Sequence, residues 1–107
     1  MSVFIQPQWA QITANSVYMN GQSTSQIIDK FEARNDNAAT QTLTVYLVPS
    51  GTGTPDNSHI RLSVPIASTQ TYLCGEIVGH DLDPGDSIWL LATLGLSISV
   101  RCSGRTR

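Results

Sequence analysis

Charged side chains are scarce in this 107-residue sequence. They make up 13% of the residues, and the formal net charge is -2, whereas charged residues usually form roughly 25% of a soluble globular chain. Neutralising phosphates requires a basic surface that this balance does not supply, so we expect no nucleic-acid partner. A polar surface with few charges instead favours packing against other protein subunits.

Long apolar runs and a leader segment are also missing. No stretch approaches the roughly 20 apolar residues that are needed to cross a bilayer. Residues 1–7 have neither the basic region nor the cleavage site of a secretory signal. We therefore expect that the chain is synthesised in the cytoplasm and has no membrane partner.

Only two cysteines occur, Cys74 and Cys102. Both fall where the alternation of apolar and polar residues points inward, and thiols stay reduced in the cytoplasm. The pattern therefore predicts two buried thiols, with a single disulfide bond as the open alternative.

Alternation with a period of two dominates what is present. Leu43, Val45 and Leu47 alternate with threonine and tyrosine until Pro49 and Gly51 end the run, and successive side chains of a strand point to opposite faces. The same alternation recurs in residues 59–66 and 96–102. Short strands at this spacing predict an all-β fold, a single-domain antiparallel β-sandwich that is jelly-roll-like and has about seven to eight strands.

Within this fold the sequence predicts three parts. Residues 1–8 read as an N-terminal arm, residues 9–104 as the sandwich domain, and residues 105–107 as a C-terminal tail. Residues 26–35 are predicted to form a strand that makes a hairpin with the strand at 42–48. Residues 50–58 have the composition of the longest exposed loop. Pro65 has no N–H to donate, so its strand either lies at a sheet edge or ends there.

Both chain ends carry the residues that we expect to contact other subunits, because their placement is terminal and not periodic. In the arm region these residues are Val3, Phe4, Ile5 and Trp9. At the other end these residues are Arg101, Arg105 and Arg107, which are three of the six basic residues. These arginines fit either a solvated tail or an extension that docks on an acidic neighbouring subunit.

Catalytic and metal-binding patterns are weak. Asp81, Asp83 and Asp86 offer oxygen ligands of the kind that Ca²⁺ prefers, but the intervening Pro-Gly pair already explains the segment as a turn. Cys74 as nucleophile with His80 as its base would make a small hydrolase, yet Cys74 lies in an alternating strand. We therefore expect no enzyme activity, no catalytic residues, no cofactor and no metal, and keep the hydrolase as the alternative from another class.

Residues 43–51, 71–88 and 98–104 together resemble a group of small structural proteins of tailed bacteriophages. The resemblance extends from about residue 28 to residue 104 and carries no catalytic signature. It implies a virion component of the β-sandwich type, built in many copies in the host cytoplasm.

The expected function is that of a capsid decoration or cement protein on the outer surface of the phage head. Its partners would be the major capsid protein and other copies of itself, as a homodimer or homotrimer. The alternative is a tail or head-fibre component that binds host glycan through residues 50–58 and Tyr46.

Overall fold

The computed structural model describes residues 2–106. In this range there are nine β-strands, one 3-10 helix at Asn57–His59, and no α-helix. The strands are β1 (Ser2–Trp9), β2 (Asn15–Met19), β3 (Gln26–Asn35), β4 (Gln41–Val48), β5 (Ile60–Ile66), β6 (Thr71–Leu73), β7 (Asp81–Leu82), β8 (Ser87–Ala92) and β9 (Ile98–Thr106).

The strands form two antiparallel sheets. In sheet A the order is β1-β9-β3-β6, and β7 also pairs with β3; in sheet B the order is β2-β8-β4-β5. The predicted all-β, single-domain, antiparallel architecture is therefore confirmed. The described residues contain nine strands rather than seven or eight, and β1 is one strand that the sequence did not predict.

Alternation places one face of each sheet in a common core. In sheet B, β4 contributes Leu43 and Val45, and β8 contributes Ile88 and Leu90; in sheet A, β3 contributes Ile28. All five side chains are fully buried in a single hydrophobic cluster. Burying a large apolar side chain stabilises the folded state by roughly 1.5–3 kcal/mol, so this shared interior is the main source of stability.

The prediction that residues 1–8 form an N-terminal arm is wrong for the residues that the structure describes. Residues 2–9 form β1, which pairs with β9 as an edge strand of sheet A. Phe4 and Ile5 lie in the core cluster, and the Phe4 ring stacks on Tyr18 with ring centroids 4.5 Å apart and an interplanar angle of 10°. The alternation of β1 is hard to recognise in the sequence because two register shifts interrupt its pairing with β9.

The predicted C-terminal tail is corrected as well. β9 continues to Thr106, so residues 105 and 106 belong to the sheet. The ends of the predicted arm and tail, Met1 and Arg107, lie outside the described residues.

The strand predicted at residues 26–35 is confirmed, but its hairpin with β4 is not formed. β3 lies in sheet A and β4 in sheet B, so residues 36–40 cross between the sheets. The fully buried Asn35 anchors this crossing. Its Nδ2 donates to the backbone oxygens of Ala39 at 2.9 Å and Ile66 at 2.8 Å, and its Oδ1 accepts from the backbone N–H of Asn37 at 2.8 Å.

Asn20 anchors the crossing from β2 to β3 in the same way. Its buried Nδ2 donates to the backbone oxygens of Thr24 at 3.1 Å and Leu82 at 2.8 Å, and its Oδ1 accepts from the N–H of Gln22 at 2.9 Å. Buried polar groups cost free energy unless they are paired. The two asparagines therefore satisfy carbonyl groups at the points where the chain changes sheets.

Two further predictions are confirmed. Pro65 lies in β5, which is an edge strand of sheet B. Residues 49–59, between β4 and β5, form the longest connection between described strands and are mostly exposed. Asp56 caps the short 3-10 helix in this loop by accepting a hydrogen bond from the Ser58 N–H at 2.8 Å.

Candidate functional site: a groove on sheet A

A groove of about 760 Å³ lies along the outer face of sheet A. It crosses the sheet, because residues of β1, β9, β3 and β6 and of the turn that follows β6 all line it. Register shifts occur in the pairing of β9 with both β1 and β3, and such irregularities bend and twist strands. The volume lies within the roughly 300–1,000 Å³ that is usual for ligand-binding clefts.

Three large apolar side chains give the groove its character. Val3 from β1, Leu73 from β6 and Val78 from the following turn line it and are 58%, 72% and 43% exposed. Apolar side chains of this size are usually buried, and grouping them on one surface is typical of sites that bind other molecules. The groove therefore offers apolar surface that this chain does not cover.

Charged side chains line the same groove, and Arg105 borders it. Arg101 Nε lies 3.3 Å from Glu32 Oε1, and Arg105 Nη1 lies 2.8 Å from Asp29 Oδ1. The three residues Glu32, Arg101 and Arg105 are at least one-third exposed at their side chains, so these pairs add little stability. Asp29 Oδ2 is buried and has no hydrogen-bond partner within residues 2–106. It is an unsatisfied acceptor in the wall of the groove.

The groove continues as a second hollow of about 200 Å³. Pro7, Glu32 and Arg101 line both cavities, and Arg34 and Thr71 line only the second. The Glu32–Arg101 ion pair thus lies where the two cavities meet. Together they form an elongated depression with an apolar portion and a charged portion.

Of the predicted contact residues, the structure brings Val3 and Arg101 together in this groove. Arg105 borders it through its ion pair with Asp29. Trp9 is 40% exposed at the end of β1 but does not line the groove. Phe4 and Ile5 are corrected, because at 6% and 1% exposed their side chains pack in the core. Arg107 lies outside the described residues.

Sequence reasoning missed Leu73 and Val78. A signal for Leu73 was present, because an inward-pointing Cys74 requires its neighbour in an extended strand to point outward. Val78 is exposed because residues 75–79 form a turn, and the apolar composition of this segment does not indicate a turn.

The two cysteines are free and buried, as predicted. Burial raises the pKa of each thiol to about 12, whereas a thiol nucleophile needs a lowered pKa. Cys74 Sγ has its hydrogen-bond contact with the backbone oxygen of Tyr72, at 3.8 Å. The surroundings of Cys74 are therefore those of a packed core residue.

We expect both thiols to react with Ellman's reagent at pH 8 at least about a hundredfold more slowly in the folded chain than in urea, because burial suppresses the thiolate and blocks access. Stopped-flow absorbance measures both rates, and free cysteine under each condition provides the reference. Rapid stoichiometric reaction of one thiol in the folded chain would contradict the burial described above.

The acidic segment at residues 81–86 has a structural explanation. Asp86 accepts hydrogen bonds from the backbone N–H groups of Ser50 at 3.0 Å and Asp83 at 2.9 Å, and Ser25 Oγ donates to Asp83 Oδ1 at 2.8 Å. Within residues 2–106 no group of His, Cys, Asp or Glu side chains is arranged to hold a metal ion. These carboxylates tie the β7–β8 turn to neighbouring loops.

Sheet B presents a different outer surface. Its four strands carry one charged residue, Arg61. Tyr46, the aromatic residue considered for glycan binding, lies opposite Trp89 of β8 and Ile60 of β5 and is only 8% exposed. A ring this deeply covered offers little face for stacking on a sugar.

Comparison with protein-family models found no match to this sequence, and comparisons with curated proteins and with solved structures found none either. Among the described residues no helix is long and apolar enough to span a membrane.

Proposed function

We propose that this chain is a jelly-roll structural protein of a bacteriophage particle, a capsid decoration protein that binds the major capsid protein on the outer head surface. The observation that carries the proposal is the interleaved order of the strands in the two sheets. Double-sheet jelly rolls are frequent in viral capsid proteins and lectins. A fold alone does not define a function. The proposed binding must therefore be explained by residues on the surface.

The strand order supports the jelly roll as follows. β6 and β7 both pair with β3, at its two ends, and so occupy one strand position. Counting them as one, eight strands in chain order give sheets 1-8-3-6 and 2-7-4-5. Folding a long antiparallel hairpin over into two facing sheets would produce this order, which supports the proposed jelly roll.

The groove on sheet A supports docking of an extended segment from a neighbouring subunit. Val3, Leu73 and Val78 give such a segment an apolar surface, and the Glu32–Arg101 pair offers both a donor and an acceptor beside it. An extended peptide presents side chains alternately together with backbone N–H and C=O groups. The groove is elongated and chemically mixed, as a binding site for such a segment needs to be.

Many equivalent contacts over the capsid shell would together stabilise the particle. One interface of a standard size, roughly 1,600 Å², adds only a modest net free energy after the costs of association. A decoration protein repeats that contact at many equivalent sites on one particle. The mechanism requires no catalytic group and no cofactor.

Substituting Leu73 tests the proposal. Leu73→Glu places a charge in the apolar portion of the groove, and because Leu73 is 72% exposed the fold should be retained. We expect at least about a tenfold weaker affinity for purified heads, equivalent to about 1.4 kcal/mol of binding free energy, and a correspondingly lower occupancy when the chain is added below saturation. Quantitative gel densitometry of purified particles, with cryo-electron microscopy of the same sample, measures the occupancy.

Leu96→Glu is the matched control, because Leu96 is 74% exposed and lies outside the groove. It should leave the occupancy unchanged. Absence of the wild-type chain from purified heads, or equal loss of binding in both variants, would overturn the proposal. Saturable binding of the wild-type chain on a glycan array, together with absence from heads, would favour the tail or fibre alternative.

A further inference from the structure

The edge strands of the two sheets differ in how they are protected against pairing with another strand. Natural sheet edges are usually blunted by proline, charge, bulges or short length. β1 contains Pro7 and two register shifts, and β5 contains Pro65 and Arg61. β6 and β7, at the remaining edge of sheet A, are 3 and 2 residues long.

The edge strand β2 contains neither proline nor charge. It spans Asn15–Met19, and the first charged side chain of the whole chain is that of Asp29. One register shift, between Ser16 and Tyr18, interrupts its pairing with β8. Within residues 2–106 β8 is its only strand partner, so the other side of β2 presents backbone groups that no strand pairs.

Apolar side chains flank this edge. Ile12 precedes β2 and is 65% exposed, and Met19 ends it and is 60% exposed. Large apolar side chains beside an edge without proline or charge are costly to leave in water. Met19 would be covered if another strand paired along β2.

We propose that the free edge of β2 is a contact between two copies of this chain, which pair antiparallel across a two-fold axis and join their B sheets into one continuous sheet. The absence of charge favours a second copy as the occupant. In two-fold antiparallel pairing each position lies opposite itself or a near neighbour in the same sequence, so any charge on the edge would meet a like charge. β2 has none.

β2 can pair with itself over its full length. A two-fold axis at Val17 places Asn15 of one copy opposite Met19 of the other, and symmetry repeats the contact. The exposed Met19 side chain of each copy then lies against the other copy. The outer face of the joined sheet remains almost free of charge, because Arg61 is the one charged residue in the strands of sheet B.

Sedimentation equilibrium of the purified full chain tests the inference without any other protein present, so its result is independent of the capsid proposal. We expect the average mass to rise with concentration from 11.6 kDa towards twice that value. Ser16 is exposed on β2. Ser16→Lys and Ser16→Glu should each weaken dimerisation at least tenfold, because each places like charges across the axis.

An equimolar mixture of the Ser16→Lys and Ser16→Glu chains should restore dimerisation to within a few-fold of wild type. Ser63→Lys is the control, because Ser63 is exposed on the other edge strand of sheet B, β5; it should have no effect. A wild-type chain that stays monomeric up to about 1 mM, a mixture of folded variants that stays monomeric, or equal weakening by Ser63→Lys would overturn the proposal.

Hydrogen–deuterium exchange of the wild-type chain tests the pairing of β2 between two copies even if the Ser16 variants fail to fold. The amides of residues 15–19 should become better protected as the concentration rises, while those of β5 stay unchanged. Exchange of β2 that is independent of concentration would contradict the proposed pairing. Protection of β2 that appears only when another protein is added would assign the edge to a foreign strand and overturn the inference.

Discussion

Replacing Gly104 with alanine is expected to lower the free energy of unfolding by about 3 kcal/mol or more. Gly104 lies in β9 opposite Ser2 of β1 and Ile28 of β3. A Cβ atom at this position would overlap both the backbone oxygen of Ile27 and the ring of Phe4. Neither neighbour can yield easily, because one is backbone of the adjacent strand and the other is a core side chain.

Urea unfolding followed by circular dichroism measures this effect, with Gly53→Ala as the matched control. A Cβ at Gly53 would have no atom within 4 Å, so we expect a change within about 0.5 kcal/mol. If Gly104→Ala unfolds at the same urea concentration as wild type, β9 cannot be packed between β1 and β3 as described. That result would also restore the N-terminal arm as an alternative to β1.

Replacing Asn35 with aspartate is expected to destabilise the chain by about 3–5 kcal/mol at pH 7, because it leaves a buried charge without compensation. The substitution keeps the size of the side chain but replaces its amide donor. At this position the side chain faces the backbone oxygens of Ala39 and Ile66. A carboxylate there would meet two acceptors in the dry interior, where its charged form is disfavoured.

The same reasoning predicts the pH dependence. Desolvation and the two carbonyls should raise the pKa of a carboxyl at position 35 in the folded state above its unfolded value of about 3.9. The difference from wild type should therefore be smallest below about pH 4 and grow as the pH rises through the folded-state pKa. Urea unfolding of both proteins from pH 3 to pH 8 measures this difference.

Asn57→Asp is the control for that experiment, because Asn57 is exposed in the loop between β4 and β5. We expect a change within about 0.5 kcal/mol at every pH. A difference between Asn35→Asp and wild type that does not vary with pH would show that the carboxyl is solvated. In that case Asn35 would not anchor the crossing between the sheets.

The two proposed contacts use different parts of the molecule. The groove for an extended capsid segment lies on sheet A, where Glu32 and Arg101 supply charge. The proposed contact between copies lies at the β2 edge of sheet B, which carries no charge. Leu73→Glu and Ser16→Lys therefore test separate surfaces, and either proposal can fail while the other stands.

The sequence indicated a smaller part of the candidate site than of the fold. Val3 and Arg101 were chosen for their terminal positions, and they lie together because β1 pairs with β9. Leu73 joins them only because β6 pairs with β3, which lies beside β9. No local pattern relates residues from both ends of the chain to one from its middle.

Local sequence is sufficient to predict the strand character, the inward direction of Val45 and Val100, the burial of the thiols and the placement of Pro65 at a strand edge or end, because these depend on a two-residue period and on local backbone chemistry. The three-dimensional arrangement is needed to learn which sheet holds each strand, that residues 2–9 belong to the sandwich, and where the groove lies. Those features depend on hydrogen bonds and packing between segments far apart in the chain. Alternation constrains such pairings but does not choose among them.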